Sequence, residues 1–451
     1  MKYIFVLLAN VITLCSYAQT YEWAFPPFDK KDVLYANPFQ GGYALIDLSS
    51  KETKGGIISG YINKYGQWQI QPKFEMAMPF SEGLAQARAK NSDLMGYINS
   101  GGNWAIPARY KDGDPFSEGL ACVTEGDKWY FIDRDGKTAF PQKFDKPGET
   151  VKDLKITFDQ YTFSGGFCAV WQDGHWGYIN KEGIFAIYPR YEKAYPFKNR
   201  CARVVENGKF TFINSYGAQI TYPRFTSAGD FDNFLASVRD PDRPDVVMIG
   251  TEGGVYTFDD FHSMNESPDT YISYKDSNGY YGFINRASAI VIKPVFSAVS
   301  KFSEGVCAAR LGNRWGFIDS KGEWVMDAVI DNNMGGSTFS EGLCAVLIGD
   351  KWGYILNPLE LKIDRSVEYA GKQKWFINKE PVIYNNKTYV KDGSPQKFIR
   401  AERADLRYIG MYKGAGLYSY YWNVSGSPNA VFIITGKNEF QPYKRKGNDI
   451  F

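Results

Sequence analysis

Histidine is nearly absent: the 451 residues contain two, His175 and His262. Zinc sites and general-base catalysis built on imidazole therefore have almost nothing to draw on. Cysteine is also scarce, at six, and no Cys-x-x-Cys pair occurs, which excludes a zinc ribbon or a thioredoxin-like redox site. Gly-x-Ser-x-Gly, His-Glu-x-x-His and phosphate-loop motifs are all missing. No charge of one sign dominates: 52 Lys and Arg face 50 Asp and Glu, a net charge of +2. A nucleic-acid partner would demand a basic stripe, and none is present.

Long apolar runs are confined to the first 18 residues. Lys2, the run Tyr3 to Leu14, and the small residues Ser16 and Ala18 before Gln19 have the layout of a secretory signal peptide cleaved after Ala18. The run is too short to cross a bilayer, which takes about 20 apolar residues. A lipid anchor on Cys15 is disfavoured by the bulky Leu14 before it. The expectation is export to the periplasm, the outer-membrane surface or the medium. Cleavage leaves five cysteines, an odd number, so at least one is free or paired between chains.

What is abundant is aromatic: 32 Tyr, 32 Phe and 11 Trp, or 17% of the chain. One hydrophobic core stops growing at about 250–300 residues, so a chain of this length divides into domains or extends by stacked repeats. The sequence takes the second course. "GYINKYGQWQIQP" (Gly60 to Pro72) returns as "GYINKEGIFAIYP" (Gly177 to Pro189) and as "GFINRASAIVIKP" (Gly282 to Pro294). Aligned on the aromatic, copies fall at Tyr61, Tyr97, Phe131, Tyr178, Phe212, Phe283, Phe317 and Tyr354, with worn copies near 247–257 and 374–384.

Each copy reads as a hairpin. Alternating aromatic and β-branched residues over four to six positions predict short half-buried strands. Gly66, Gly102, Gly136, Gly183, Gly217 and Gly322 end the turn, where a left-handed backbone favours glycine. Asn63, Asn99, Asp133, Asn180, Asn214, Asn285 and Asp319 precede it and can bond the backbone two residues on. Pro72, Pro189, Pro223 and Pro294 are expected to end the return strand. A loop ending in Phe-Ser-Glu-Gly leads to a third strand. The fold class is all-β: tandem three-stranded meanders, about nine units, in a propeller-like ring or an open superhelical array.

"DKWGYI" (Asp350 to Ile355), "NRWGFIDSKGEWV" (Asn313 to Val325) and "GHWGYINKEG" (Gly174 to Gly183) resemble the WG, or KWG, repeat family of bacterial β-rich arrays. The resemblance spans about residues 39 to 358. Ser59, Met95 and Tyr281 replace the Trp, and Tyr130 and Thr211 replace the Gly, in weaker copies. It implies a propeller-like frame and no general enzymatic activity. The organisation is a signal peptide at 1–18, a lead-in at 19–38, the array at 39–358 and a β-rich region or cap at 359–451. A membrane barrel needs strands of about 9–11 residues, longer than these.

Repetition separates structure from function, because a structural group recurs in every unit and a catalytic group is needed once. Ser81, Ser117, Ser303 and Ser340, with Glu82, Glu118, Glu304 and Glu341, recur, so they read as turn residues with solvated acids rather than a cation-binding ring. The cysteines read as small core residues. His175 stands where other copies have Lys or Arg, so it is expected at the surface.

The breaks in the period are the better candidates. One is the insertion Asp145 to Thr162, with Asp153, Lys155, Asp159 and Tyr161; the other is Asp240 to Gly279, with Asp259, Asp260 and His262. No catalytic, metal or cofactor residue is assigned. The functional expectation is an exported binding scaffold recognising a protein or an envelope glycan, neither nucleic-acid-binding nor membrane-spanning. The alternative is a glycan hydrolase using two carboxylates about 5–10 Å apart from the non-repeating acids.

Overall fold

The computed structural model describes residues 21–446 apart from 146–160, 232–233, 244–245, 258–270, 277, 285–289, 332–337, 362–368, 399–405, 421–427 and 437. Nine antiparallel meanders follow one another. Their opening strands are Tyr43–Ser49, Ala85–Ala89, Ala121–Thr124, Cys168–Gln172, Cys201–Glu206, Leu235–Arg239, Ile272–Lys275, Val306–Leu311 and Leu343–Ile348, which number the units one to nine. In unit one the return strand Trp68–Ala77 pairs first with Ile57–Asn63 and then with Ala85–Ala89 of unit two. One strand thus belongs to two units.

The hairpin turns form as their sequence dictates. Asn63 Oδ1 accepts the backbone N–H groups of Tyr65 at 3.0 Å and Gln67 at 3.1 Å, and Gly66 takes φ +75°. Asn99, Asp133, Asn180, Asn214 and Asp319 make the same pair of bonds. Asn285 lies outside the described residues.

The return strand does not stop at its proline. Phe185–Tyr191 runs through Pro189, Trp68–Ala77 through Pro72 and Ile290–Phe296 through Pro294. The register slips there, between the partners of Trp176 and Tyr178, so the missing N–H falls where the ladder is already interrupted. The bulge also explains the glycine at the Trp-Gly position in units one, two, four, seven and eight, whereas Gly353 of unit nine faces Trp23 and Pro27. A Cβ on Gly177 would stand 2.6 Å from the Ile187 carbonyl oxygen and 2.7 Å from the Pro189 nitrogen. Units three and five, with Tyr130 and Thr211 at this position, have broken return strands. In unit five only the bridges Phe210↔Phe225 and Ile213↔Gln219 remain.

The array is a closed ring. Tyr61, Tyr97 and Tyr178 each donate their hydroxyl to a backbone carbonyl leading into the next unit, at Met78, Asp114 and Tyr195. Tyr354 of unit nine does the same to Asn37, 2.6 Å away, ahead of unit one. Unit nine has two strands of its own, Leu343–Ile348 and Lys351–Leu356, and Phe28–Asp29 supplies the third. Ala24 N–H bonds the Tyr354 carbonyl, and Leu356 N–H bonds that of Glu22. Phe25 fills the space under Gly66 that Ile70 fills under Gly102. The stretch expected to be a lead-in is therefore the seal, and buried side chains of units eight, nine and one form one continuous core. An open superhelix is excluded.

Beyond the ring, a sheet of six strands in line has the order Val382–Tyr384, Lys387–Lys391, Glu439–Arg445, Ala430–Gly436, Ala415–Tyr420, Leu406–Tyr412, and Gln396–Lys397 pairs with its third strand. Ala370, Trp375 and Phe376 cover one face. The residues read as a worn repeat copy, 374–384, are instead a helical turn, Lys374–Ile377, and an edge strand, because Trp375 and Phe376 are drawn into this core.

Candidate functional site

The recurring polar side chains join units to one another. Ser81 Oγ donates to the Phe116 carbonyl of the next unit, and Ser117, Ser164, Ser303 and Ser340 reach Phe163, Phe197, Phe339 and Phe39, all at 2.6–2.7 Å. The glutamates, expected as solvated acids, also bond the next unit, and Glu82 stays exposed. Glu82 accepts the Gly119 N–H, Glu118 that of Gly166, Glu304 that of Gly342 and Glu341 that of Gly42. Basic residues of the return strands are equally occupied: Lys73, Arg109 and Arg190 donate to the carbonyls of Gly102, Gly136 and Gly217. Among the described residues no group of three His, Cys, Asp or Glu could hold a metal.

Cys122, Cys168, Cys201 and Cys307 are buried free thiols, and Cys344 is buried as well. Burial raises their thiols where a shift is resolved, with Cys201 and Cys307 pushed up to about 11.

Of the residues singled out in the sequence, Asp153, Lys155, Asp159, Asp259, Asp260 and His262 lie outside the described residues. Tyr161 is 6% exposed and stacks on Trp129 at 5.3 Å, with Trp176 at 5.8 Å, so its ring is core of units three and four. His175 is exposed, its Nδ1 3.4 Å from the Asp173 carbonyl.

Units four and five carry features the period does not explain. Tyr188 and Tyr222 occupy one repeat position, before the proline, in adjacent units, and are 76% and 82% exposed. Tyr216, 89% exposed, sits beside Gly217, whose turn rests on Ile187 next to Tyr188. The loop opening unit five is equally unusual. In units two, three, eight and nine it reads Ser-Glu-Gly; here it reads Lys198-Asn199-Arg200, with φ +48° at Asn199 and +66° at Arg200.

Its backbone bonds match those of the other loops: Lys198 N–H to the Cys201 carbonyl, and the reverse, at 2.8 and 3.0 Å. Ser164 Oγ bonds the Phe197 carbonyl, so the loops of units four and five lie side by side as elsewhere. The preceding loop, however, has Gly165 where units two, three, eight and nine have glutamate. Among the described residues no carboxylate meets the Arg200 N–H, and neither Lys198 nor Arg200 has an ionic partner. Sequence reading missed these positions because it sought departures in the long insertions. Substitution at a fixed repeat position was the available signal.

Five segments match the family described as WG containing repeat: residues 60–92, 95–129, 176–210, 281–315 and 315–352. No match to a curated protein reaches significance. Among solved structures, the chain aligns with a eukaryotic initiation factor at 12% identity and TM-score 0.44, covering 70% of this chain and 98% of that one. BamB from Moraxella catarrhalis aligns at 11% identity and TM-score 0.31, covering 73% and 97%. Kluyveromyces lactis Hsv2 aligns at 7% identity and TM-score 0.31, covering 66% and 98%. At these scores the likeness carries no functional information. The repeats at 60–352, with the bulge that demands their glycine, make this chain a member of the WG-repeat family of β-rich repeat proteins.

Proposed function

We propose that the chain is an exported binding scaffold that recognises a protein or a cell-envelope glycan through the outer surface of units four and five. One observation carries this reading. The repeating polar side chains are engaged in unit-to-unit bonds, whereas Tyr188, Tyr216 and Tyr222 are exposed on adjoining units where no repeat position requires them. Exposed tyrosines on a rigid β frame present large contact areas at low entropic cost. No helix among the described residues is long and apolar enough to cross a membrane.

The test is direct. Residues 19–451 are immobilised beside the variant Tyr188→Ala/Tyr216→Ala/Tyr222→Ala, and both meet an array of purified envelope proteins and oligosaccharides. Saturable binding by the parent that falls at least tenfold in the variant supports the reading. Absence of any ligand, or binding indifferent to the three substitutions, overturns it.

A further inference from the structure

We infer that units four and five bear a carboxylate-binding slot for an acidic, uronate-containing glycan, an inference that rests on the scaffold reading. The molecule itself shows what the slot takes. In four loops, the N–H of the third residue (Gly42, Gly119, Gly166 or Gly342) receives a glutamate carboxylate from the preceding unit, at 2.9–3.1 Å for the nearer oxygen. The equivalent donor in unit five is the Arg200 N–H, held by the same left-handed backbone. Its carboxylate is missing because the preceding loop has Gly165.

The charge of the loop changes sign at the same place. Lys198 and Arg200, both exposed, replace a serine and a glycine, so an unfilled anion position is flanked by two cations. Gly83 of unit two also lacks a preceding glutamate, since Gly41 stands there, but its loop carries Glu82, and the one cation on it, Arg134, is bonded to the Glu82 carbonyl. Among the described loops, only that of unit five carries two cations of its own beside the vacancy.

The neighbours define the rest of the ligand. Lys64 and Lys181, the first turn residues of units one and four, pair at 3.4 and 3.3 Å with the glutamates Glu341 and Glu118 of the preceding units. Ser215 holds that turn position in unit five, and the exposed ring of Tyr216 follows it. A carboxylate in the slot therefore lies at the turn that presents Tyr216, with Tyr188 on the strand beneath. Aromatic faces beside a carboxylate receptor suit a chain of sugar rings bearing acid groups. The polar surroundings, with Gln219 bonded to Glu206, do not resemble the apolar centre of a protein interface.

The sharpest variant is Gly165→Glu, which supplies the repeat's own carboxylate. A Cβ there meets nothing closer than Phe197 Cβ at 3.5 Å, and Glu82, Glu118, Glu304 and Glu341 hold φ of +51° to +54° at this position. The variant should fold, which its melting midpoint verifies. Titration calorimetry compares hexagalacturonate, its methyl ester and poly-glutamate on the parent, on Gly165→Glu and on Lys198→Ser/Arg200→Gly. The expected result is hexagalacturonate binding that weakens with salt, is at least tenfold weaker for the ester, and is lost in Gly165→Glu.

Equal binding of the ester, or binding unchanged by Gly165→Glu, overturns the slot. Poly-glutamate bound in its place overturns the glycan, and no binding by either acid overturns the inference. A different array ligand held alike by the parent and Gly165→Glu, but lost in the tyrosine variant, leaves the scaffold reading standing alone. No array ligand at all removes both.

Discussion

Glu341 of the last unit accepts the backbone N–H of Gly42 in the first, 3.0 Å away and 299 residues back along the chain. Glu304 does the same to Gly342 within the array, at 3.1 Å. The ring thus treats its seam as an ordinary joint. Hydrogen bonds to a charged group contribute about 1.5–3 kcal/mol when the donor is otherwise left bare. Glu341→Ala and Glu304→Ala should therefore cost similar amounts, about 1–2 kcal/mol, in urea denaturation. A negligible loss at Glu341 beside a clear one at Glu304 would show that the seam is open in solution.

The seal should matter more than any one joint. Phe25 is buried beneath the Gly66 turn and 5.6 Å from the ring of Tyr354. Removing such an aromatic leaves a cavity, and Phe25→Ala should cost about 3–5 kcal/mol. Limited proteolysis should then cut first near residues 21–32. Unchanged stability would mean that the N-terminal strand is dispensable to the ring.

Gly177→Ala places a methyl group against backbone rather than against a side chain that can turn away. Overpacking of this kind costs about 1–3 kcal/mol. Gly126→Ala is the control, since a Cβ there meets nothing within 4 Å and its φ is not left-handed. Equal midpoints for the two variants would remove the bulge as the reason for the repeat's glycine.

Asp47 gives a pH signature. Burial raises its carboxyl above the usual range, and the hydrogen bond from Ser59 Oγ, 2.6 Å away, offsets that only in part. A raised folded-state value means the native chain holds the proton more tightly than the unfolded one, so the ionised group weakens the fold at neutral pH. Asp47→Asn should raise the melting midpoint at pH 7. Its advantage should shrink as pH falls through the raised native value towards about 3.9, the unfolded one. A constant difference across that window would contradict the assignment.

The buried thiols of Cys122, Cys168, Cys201 and Cys307 should escape an aromatic disulfide reagent at pH 8 until guanidinium unfolds the ring, then react together. With Cys201 and Cys307 pushed up to about 11, little reactive thiolate exists in the native state. Rapid modification of the native chain would show that these side chains are reached by solvent.

Much of the unit was legible because its instructions are local. Asn63 and Gly66 specify a turn within four residues, and alternation specifies the strands beside it. What escaped lies between units. Nothing local to Glu82 says that its carboxylate will bond Gly119, and the period repeats alike in a ring and in an open stack. Pro189 misled for a related reason: the cost of a missing N–H depends on whether the strand is bulged there, and the bulge is set by Gly177 across the ladder. Tyr161 falls in an insertion by sequence yet stacks on Trp129, because a core takes whichever aromatic reaches it. The loop at Lys198 to Arg200 was visible all along as a departure from Ser-Glu-Gly. Its meaning needed the four filled equivalents.

The seal also sets an order of events. Most pairings join strands that are neighbours in sequence, and such contacts form early because little chain entropy is lost in closing them. Within the ring, Asp29 and Lys351, paired across 322 residues, are the exception. During synthesis from the N-terminus, Trp23 to Asp29 emerge long before unit nine and stay without their partner until Leu356 has appeared. Eight units can condense one after another, but the last step waits on the whole chain. A truncated product is therefore left with an aromatic strand to spare, a handle by which unfinished rings differ from finished ones.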